Sequence, residues 1–214
     1  MITVYLDTSV YNRPFDDQTQ PKIFLETQAV TLILQMAAAQ LINLVGSSVL
    51  DYENSLNPFP IKQKAMNRYL QMATIRQQVD ETIRQRAEQL EQQGIKAIDA
   101  LHVACAEATN SDYFITCDKR LINRCQGFAL KTLNPVDFIL EIEDDNKSND
   151  QQALQDGLDV LIAHLEPAKL ARFVAACKLG EGDYIKSKDK LFAQETVASL
   201  YEKVKAYQDS TNES

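Results

Sequence analysis

Histidine is scarce in this chain. Only His102 and His164 occur in 214 residues, too few for a zinc site built on imidazoles. The four cysteines, Cys105, Cys117, Cys125 and Cys177, show no C-x-x-C spacing. In a reducing compartment they are expected to be free thiols, some of them buried. Glycine and proline number six each, which excludes a collagen-like or low-complexity chain. There is no surplus of basic charge either. Lysine and arginine total 22 against 30 acids, for a net charge of −8, so any nucleic-acid binding has to rest on local patches. Long hydrophobic runs are also missing: the stretch around residues 29–45 is broken by Thr31, Gln35, Gln40 and Asn43 and does not read as a membrane span. The N-terminus has no basic n-region and reaches an acid at position 7, which argues against a signal peptide and predicts a cytoplasmic protein. What is present is ordinary for a folded chain, with 45% hydrophobic and 24% charged residues. Any bound metal would have to be held by carboxylates.

Composition shifts sharply once. Residues 141–153 are polar and acidic, the signature of a linker. This divides the chain into a domain over 1–140, a linker over 141–153 and a helical segment over 154–214. The acidity is shared between the two parts, with 14 basic and 19 acidic residues up to 149 and 8 and 11 after it. In the first part, short apolar β-branched runs alternate with helical periodicity. Strands are predicted at 2–6, 41–46, 113–116 and 129–133, and helices at 23–40, from about 49, 61–76, 79–93, 97–109 and 119–125. Ser47-Ser48 reads as a helix cap, and Gly94 as a helix end. Strands joined by helical crossovers predict an α/β fold with a parallel sheet covered on both faces. Helices are expected over 151–164, 167–177 and 196–207.

Four acids fall where such a sheet exposes the carboxyl ends of its strands, the usual place for a ligand. Asp7 ends the first strand, and Asp118 follows the third. Glu53 lies about a turn into the helix after the second. Asp99 sits between the apolar Ile98 and Leu101 near the start of its helix. Buried carboxylates are costly unless paired or bound to metal, and several together cannot stay ionised without a cation. Oxygen-rich sites of this kind suit Mg²⁺ or Mn²⁺. Each acid also has an ordinary reading: Asp7 as a turn residue, Asp118 as a cap of the helix that follows, Glu53 as a solvated helix residue with Asp51 as its competitor.

The segments Val4-Tyr-Leu-Asp7-Thr-Ser, Ser47-Ser-Val-Leu-Asp-Tyr-Glu53, Ala97-Ile-Asp99-Ala-Leu-His-Val-Ala104 and Asp112-Tyr-Phe-Ile-Thr116-Cys-Asp118-Lys are similar, in order and spacing, to those of PIN domains. These are metal-dependent ribonucleases found in many bacterial toxins. The resemblance covers residues 1–140 and implies a three-layer α/β/α sandwich. It implies that Asp7, Glu53, Asp99 and Asp118 are the catalytic acids around one or two Mg²⁺ or Mn²⁺ ions. Asp7, Asp99 and Asp118 would position metal, and Glu53 would hold a water there or act as base. Thr116 would orient the last acid or a water. Asp7→Asn is then expected to stop cleavage while leaving the fold intact, or even stabilising it. Arg13, in Asn12-Arg-Pro-Phe-Asp-Asp17, could contact a phosphate or form a loop salt bridge.

RNA is the expected substrate. Residues 62–86 carry a local charge of +4, and residues 118–131, with Lys119 and Arg120, carry +3. The first stretch reads equally as solvated helix faces. His102 reads as a hydrogen-bonded structural histidine that could tune Asp99, about one turn earlier on the same helix. The 154–214 segment resembles small helical antitoxin-like partners of PIN toxins, through Ala-Arg-Phe followed by Gly-x-Gly-Asp-Tyr. A fused partner of this kind could restrain the enzyme in cis, with Arg172, Lys169 or a lysine among residues 186–190 approaching the acids and competing with metal. The expected partners are RNA, an antitoxin or this intramolecular domain, and further copies of the chain in a homo-oligomer, with no membrane. The alternative is a non-catalytic PIN scaffold that binds RNA or regulates. A phosphatase of another α/β fold is disfavoured because Asp7-Thr-Ser lacks the second acid of an Asp-x-Asp motif.

Overall fold

Strand β1 (Ile2–Leu6) is apolar on both faces, and Val4, Tyr5 and Leu6 are fully buried, as a strand covered by helices on two sides requires. The computed structural model describes residues 1–145 and 184–212. Within them five strands form one parallel sheet. The others are β2 (Ile42–Ser47), β3 (Ile75–Gln77), β4 (Tyr113–Ile115) and β5 (Lys131–Leu133), in the order β3-β2-β1-β4-β5. The helices of the main body are α1 (Thr8–Asn12), α2 (Pro21–Ala38), α3 (Ser48–Ser55), α4 (Pro60–Leu70), α5 (Glu81–Gln92), α6 (Ala97–Ala108), α7 (Lys119–Arg124) and α8 (Pro135–Asp145). From β1 the chain moves one way along the sheet to β2 and β3, then returns past β1 to β4 and β5. Right-handed crossovers therefore put α2 and the α5–α6 pair on opposite faces. The result is the three-layer α/β/α sandwich expected from the sequence. The reversal of direction also opens a crevice beside the carboxyl end of β1.

Three elements differ from the sequence expectation. β3 falls where a helix running to residue 76 is predicted. Helix α4 stops at Leu70, and Ile75 to Gln77 pair in register with Val45 to Ser47. A three-residue edge strand is too short to leave a period of its own. The polar turn expected at Asp7-Thr-Ser is instead the start of a short helix over Thr8–Asn12. Finally, α8 opens at Pro135 and runs to Asp145, past residue 140. The local signals at 47 and 94 hold: Ser47 Oγ accepts from Leu50 N at 3.2 Å, and Gly94 takes φ of 88°. Asp80, whose Oδ1 accepts from Ile83 N at 2.9 Å, caps α5, a cap not predicted from the sequence.

Two C-terminal helices are described, α9 (Tyr184–Leu191) and α10 (Val197–Asn212). The helices expected over 151–164 and 167–177 lie outside the described residues, as does the linker beyond 145. Helix α10 packs on α3, α5 and α6, and its Val197, Leu200 and Val204 are fully buried in the same core as the sheet. Glu91 Oε1 accepts from Val197 N at 3.1 Å, and Gln208 Oε1 accepts from Val79 N at 3.1 Å. Leu200→Ala should therefore cost about 2–5 kcal/mol of unfolding free energy. The exposed Leu140→Ala should stay within about 0.5 kcal/mol. Urea titration followed by circular dichroism measures both, and equal effects would mean that α10 does not dock.

Candidate metal centre

Asp7 follows the last residue of β1, and its backbone N–H donates to the Ile115 carbonyl at 2.9 Å, so the two strands flanking the crevice, β1 and β4, end together. Its side chain is buried and well held. Ser9 Oγ donates to Oδ2 at 2.6 Å, Thr116 Oγ1 to the same oxygen at 2.8 Å, and Thr8 Oγ1 to Oδ1 at 3.2 Å. Thr116 also accepts from Asp118 N at 3.1 Å, so its hydroxyl proton serves Asp7, while Asp118 meets it through the backbone. Ser9 is a partner that sequence reasoning misses, because its one signal is to stand two residues after Asp7 in a polar turn.

Glu53 enters from α3 and is buried. His102 Nε2 lies 2.7 Å from Glu53 Oε2, and His102 Nδ1 lies 2.8 Å from the Tyr5 hydroxyl. An ionised carboxylate only accepts, so Nε2 carries a proton, and in the neutral ring Nδ1 accepts from Tyr5. Ser47 Oγ, 2.6 Å from the Tyr5 oxygen, then donates to it while accepting from Leu50 N. The chain of partners is complete without water and fixes Glu53 in place. His102 thus hydrogen-bonds Glu53, from a different helix, while it also works to lower the pKa of Asp99 on its own.

Asp99 lies in the first turn of α6 and is buried. Into the space between these acids comes Lys188 of α9, only 7% exposed. Its Nζ stands 2.7 Å from Asp99 Oδ1, 3.1 Å from Asp7 Oδ1 and 3.8 Å from Glu53 Oε1. The sequence places this residue within the lysine run 186–190, and one member of that run does reach the acids. Burial opposes ionisation of Asp7, but the Lys188 ammonium, His102 and the Ser9 and Thr116 hydroxyls outweigh it and hold the carboxyl well below its usual range. Glu53 is lowered in the same way, with burial overcome by Lys188 and His102. Asp99 goes the other way: burial, together with the charge of Asp7, raises it in spite of Lys188. One cation is therefore stretched over three acids.

The fourth acid, Asp118, is only partly buried, its side chain 14% exposed. It caps α7, accepting from Arg120 N at 2.8 Å, and its Oδ2 lies 3.4 Å from the Arg120 guanidinium. One atom each of Asp7, Glu53 and His102 lies within 4.8 Å of the others, a spacing that could hold a metal ion, but both His102 nitrogens are committed to Glu53 and Tyr5, which leaves the carboxylates as the ligands. Buried carboxylate oxygens fit a hard divalent ion, and the ammonium lodged among them marks the place as one that takes positive charge.

The family model of the PIN domain matches residues 4–126, more than half of the chain. The chain belongs to the PIN-domain family. Among curated proteins, no match was found. PIN domains are generally nucleases that use divalent metal ions, and the carboxylate cluster of this PIN domain stands at the carboxyl edge of its sheet. Other residues picked from the sequence are placed differently. Arg13 is 6% exposed and turned inward, 2.9 Å from Asp16 and 3.0 Å from Glu26. Much of the basic stretch 62–86 is paired within the fold. Lys62 is buried over the Phe59 ring, Arg76 pairs with Asp51, Arg84 with Glu81 and Glu88, and Arg86 with Glu107. Lys119 and Arg120 are exposed on the first turn of α7. No described helix is long and apolar enough to cross a membrane.

Lys188 changes the sign expected for a substitution. Without it, neutralising Asp7 would relieve repulsion. With it, Asp7→Asn takes a partner from a buried ammonium, and in the metal-free full chain it should cost about 1–3 kcal/mol. In a Lys188→Gln background the same change should stabilise. Thermal unfolding in chelator compares the two, and stabilisation in both backgrounds would show that Lys188 does not sit among the acids.

Proposed function

We propose that this protein is a divalent-ion-dependent endoribonuclease of the PIN-toxin type, acting in the cytoplasm and restrained in cis by its C-terminal segment. The observation that carries the reading is the buried set Asp7, Glu53 and Asp99 bridged by Lys188. Asp7, Glu53 and Asp99 would hold Mg²⁺ or Mn²⁺, with Asp118 at the open side. A divalent ion bound there makes a water a better nucleophile and neutralises charge on a phosphodiester. Glu53, held by His102 through Tyr5 and Ser47, is set to take the proton from an attacking water. Ser9 and Thr116 fix the rotamer of Asp7. Lys188 supplies the positive charge when metal is absent, so an ion and a docked α9 compete for one place. A homo-oligomer belongs to the same reading, as does the division into a nuclease domain, a linker and an antitoxin-like segment.

The second reading, a PIN scaffold that binds RNA without cleaving it, is disfavoured by the expense of burying three acids that binding alone would not require.

RNA cleavage with Mn²⁺ and with Mg²⁺ should be compared for the full chain, Lys188→Gln and Lys188→Gln/Asp7→Asn. A tethered group has a local concentration in the millimolar range, so removing the ammonium should raise the rate at limiting metal by about tenfold or more. The double variant should be inactive. A Lys188→Gln protein that binds RNA but leaves it intact at saturating metal would favour the scaffold reading.

A further inference from the structure

Next to Lys188 on α9 is Asp189, and its two carboxylate oxygens meet two different cations. Oδ1 pairs with the ammonium of Lys96, and Oδ2 lies 2.8 Å from the guanidinium of Arg120. Lys96 is the residue before α6, three positions from Asp99, and Arg120 is two positions from Asp118. The two cations therefore come from the two helices that carry acids of the candidate centre, and they converge at its mouth. Their side chains are 46% and 59% exposed, while Asp189 is 31% exposed. Burial works against ionisation of Asp189, but hydrogen bonds from Lys96 and Arg120 override it and lower its pKa. Arg120 is raised by Asp189 first and Asp118 second.

We propose that Lys96 and Arg120 form a phosphate clamp for the RNA backbone, and that Asp189 occupies the clamp as a carboxylate stand-in for that phosphate. This rests on the nuclease reading for the identity of the ligand. Two neighbouring residues of α9 then imitate two parts of a loaded site. Lys188 takes the place of the cation among the acids, and Asp189 takes the place of the anion at the rim. A phosphodiester offers two non-bridging oxygens, as a carboxylate offers two, and cations on opposite sides of the group satisfy one oxygen each. A surface ion pair by itself contributes little. What distinguishes this one is that a single carboxylate joins two helices across the entrance, one residue away from the side chain that fills the acid cluster. Of the exposed pair Lys119 and Arg120, the geometry selects Arg120 and adds Lys96, which lies outside both basic stretches of the sequence.

The test is a coupling measurement in the full chain. Fluorescence anisotropy gives the affinity for a short labelled single-stranded RNA in chelator, where no cleavage occurs, over a series of salt concentrations. With Asp189 in place the clamp is occupied, so Arg120→Gln or Lys96→Gln should weaken binding by less than about twofold. In an Asp189→Asn background the same substitutions should weaken it by about three- to tenfold. They should also make the salt slope shallower by about 0.7 for each phosphate no longer neutralised. Asp189→Asn alone should bind more tightly than the wild type. Thermal unfolding of each variant confirms that it is folded. Equal effects of Arg120→Gln and Lys96→Gln in both backgrounds, or no measurable binding by Asp189→Asn, would overturn the proposal. The readout separates it from the nuclease reading. Coupling without cleavage by Lys188→Gln would leave the clamp standing on an RNA binder, and cleavage without coupling would remove the clamp alone.

Discussion

Asp7, Glu53 and Asp99 come from three segments far apart in sequence and are buried together at the carboxyl edge of the sheet. Like charges in a medium of low polarisability cannot all remain ionised unless a cation joins them. The rest of the molecule can be understood around that constraint. The reversal of strand order beside β1 makes the crevice. Hydroxyls from Ser9 and Thr116 hold Asp7, and the relay from Ser47 through Tyr5 and His102 holds Glu53. The remaining imbalance is met by positive charge brought among the acids, Lys188 here and, in the proposed reading, a divalent ion in its place. The opposite shifts of Asp7 and Asp99 express the same shortage, since one ammonium does not fully compensate three carboxylates.

The two described C-terminal helices have separate tasks in this arrangement. Helix α10 is an anchor: three fully buried aliphatic side chains join the main core, and its ends are tied to Glu91 and Val79. Helix α9 precedes it, and its Lys188 and Asp189 make charged contacts with the body at the crevice. Charged contacts can be exchanged for a metal ion and a polyanion, whereas buried aliphatic surface cannot. In the proposed reading, opening the crevice would need only α9 to withdraw while α10 stays in place. The short connection between them keeps the displaced helix close and ready to return.

Local patterns carry much of this in the sequence. The β-branched runs that end in polar residues locate β1, β2, β4 and β5, and single residues mark helix ends at Ser47 and Gly94. Where the pattern is too short to have a period, at β3, it reads as helix. Residues 135–145 are legible as Asn-Pro followed by an acidic run, but not as a helix, because their amphipathic face is defined by α2 against which they pack. Arg13 shows the limit for single charged residues. Its neighbour Asp16 is visible in the sequence as a partner, but Glu26 becomes one only when α2 folds back over the 3-10 turn at Arg13–Phe15.

The sequence by itself determined which acids could share a site, because each stands just after an apolar strand or amid apolar helix neighbours, positions where a carboxylate needs a reason. It also determined the family, through segments whose order survives any ignorance of geometry. Only the tertiary structure decided the partners. His102 hydrogen-bonds Glu53, Thr116 serves Asp7, Asp118 caps α7, and Lys188, 181 residues from Asp7, enters the cluster. The physical reason is that burial and periodicity are recorded locally, residue by residue, whereas a charge pair is a distance between side chains that only the folded backbone brings to a few ångströms.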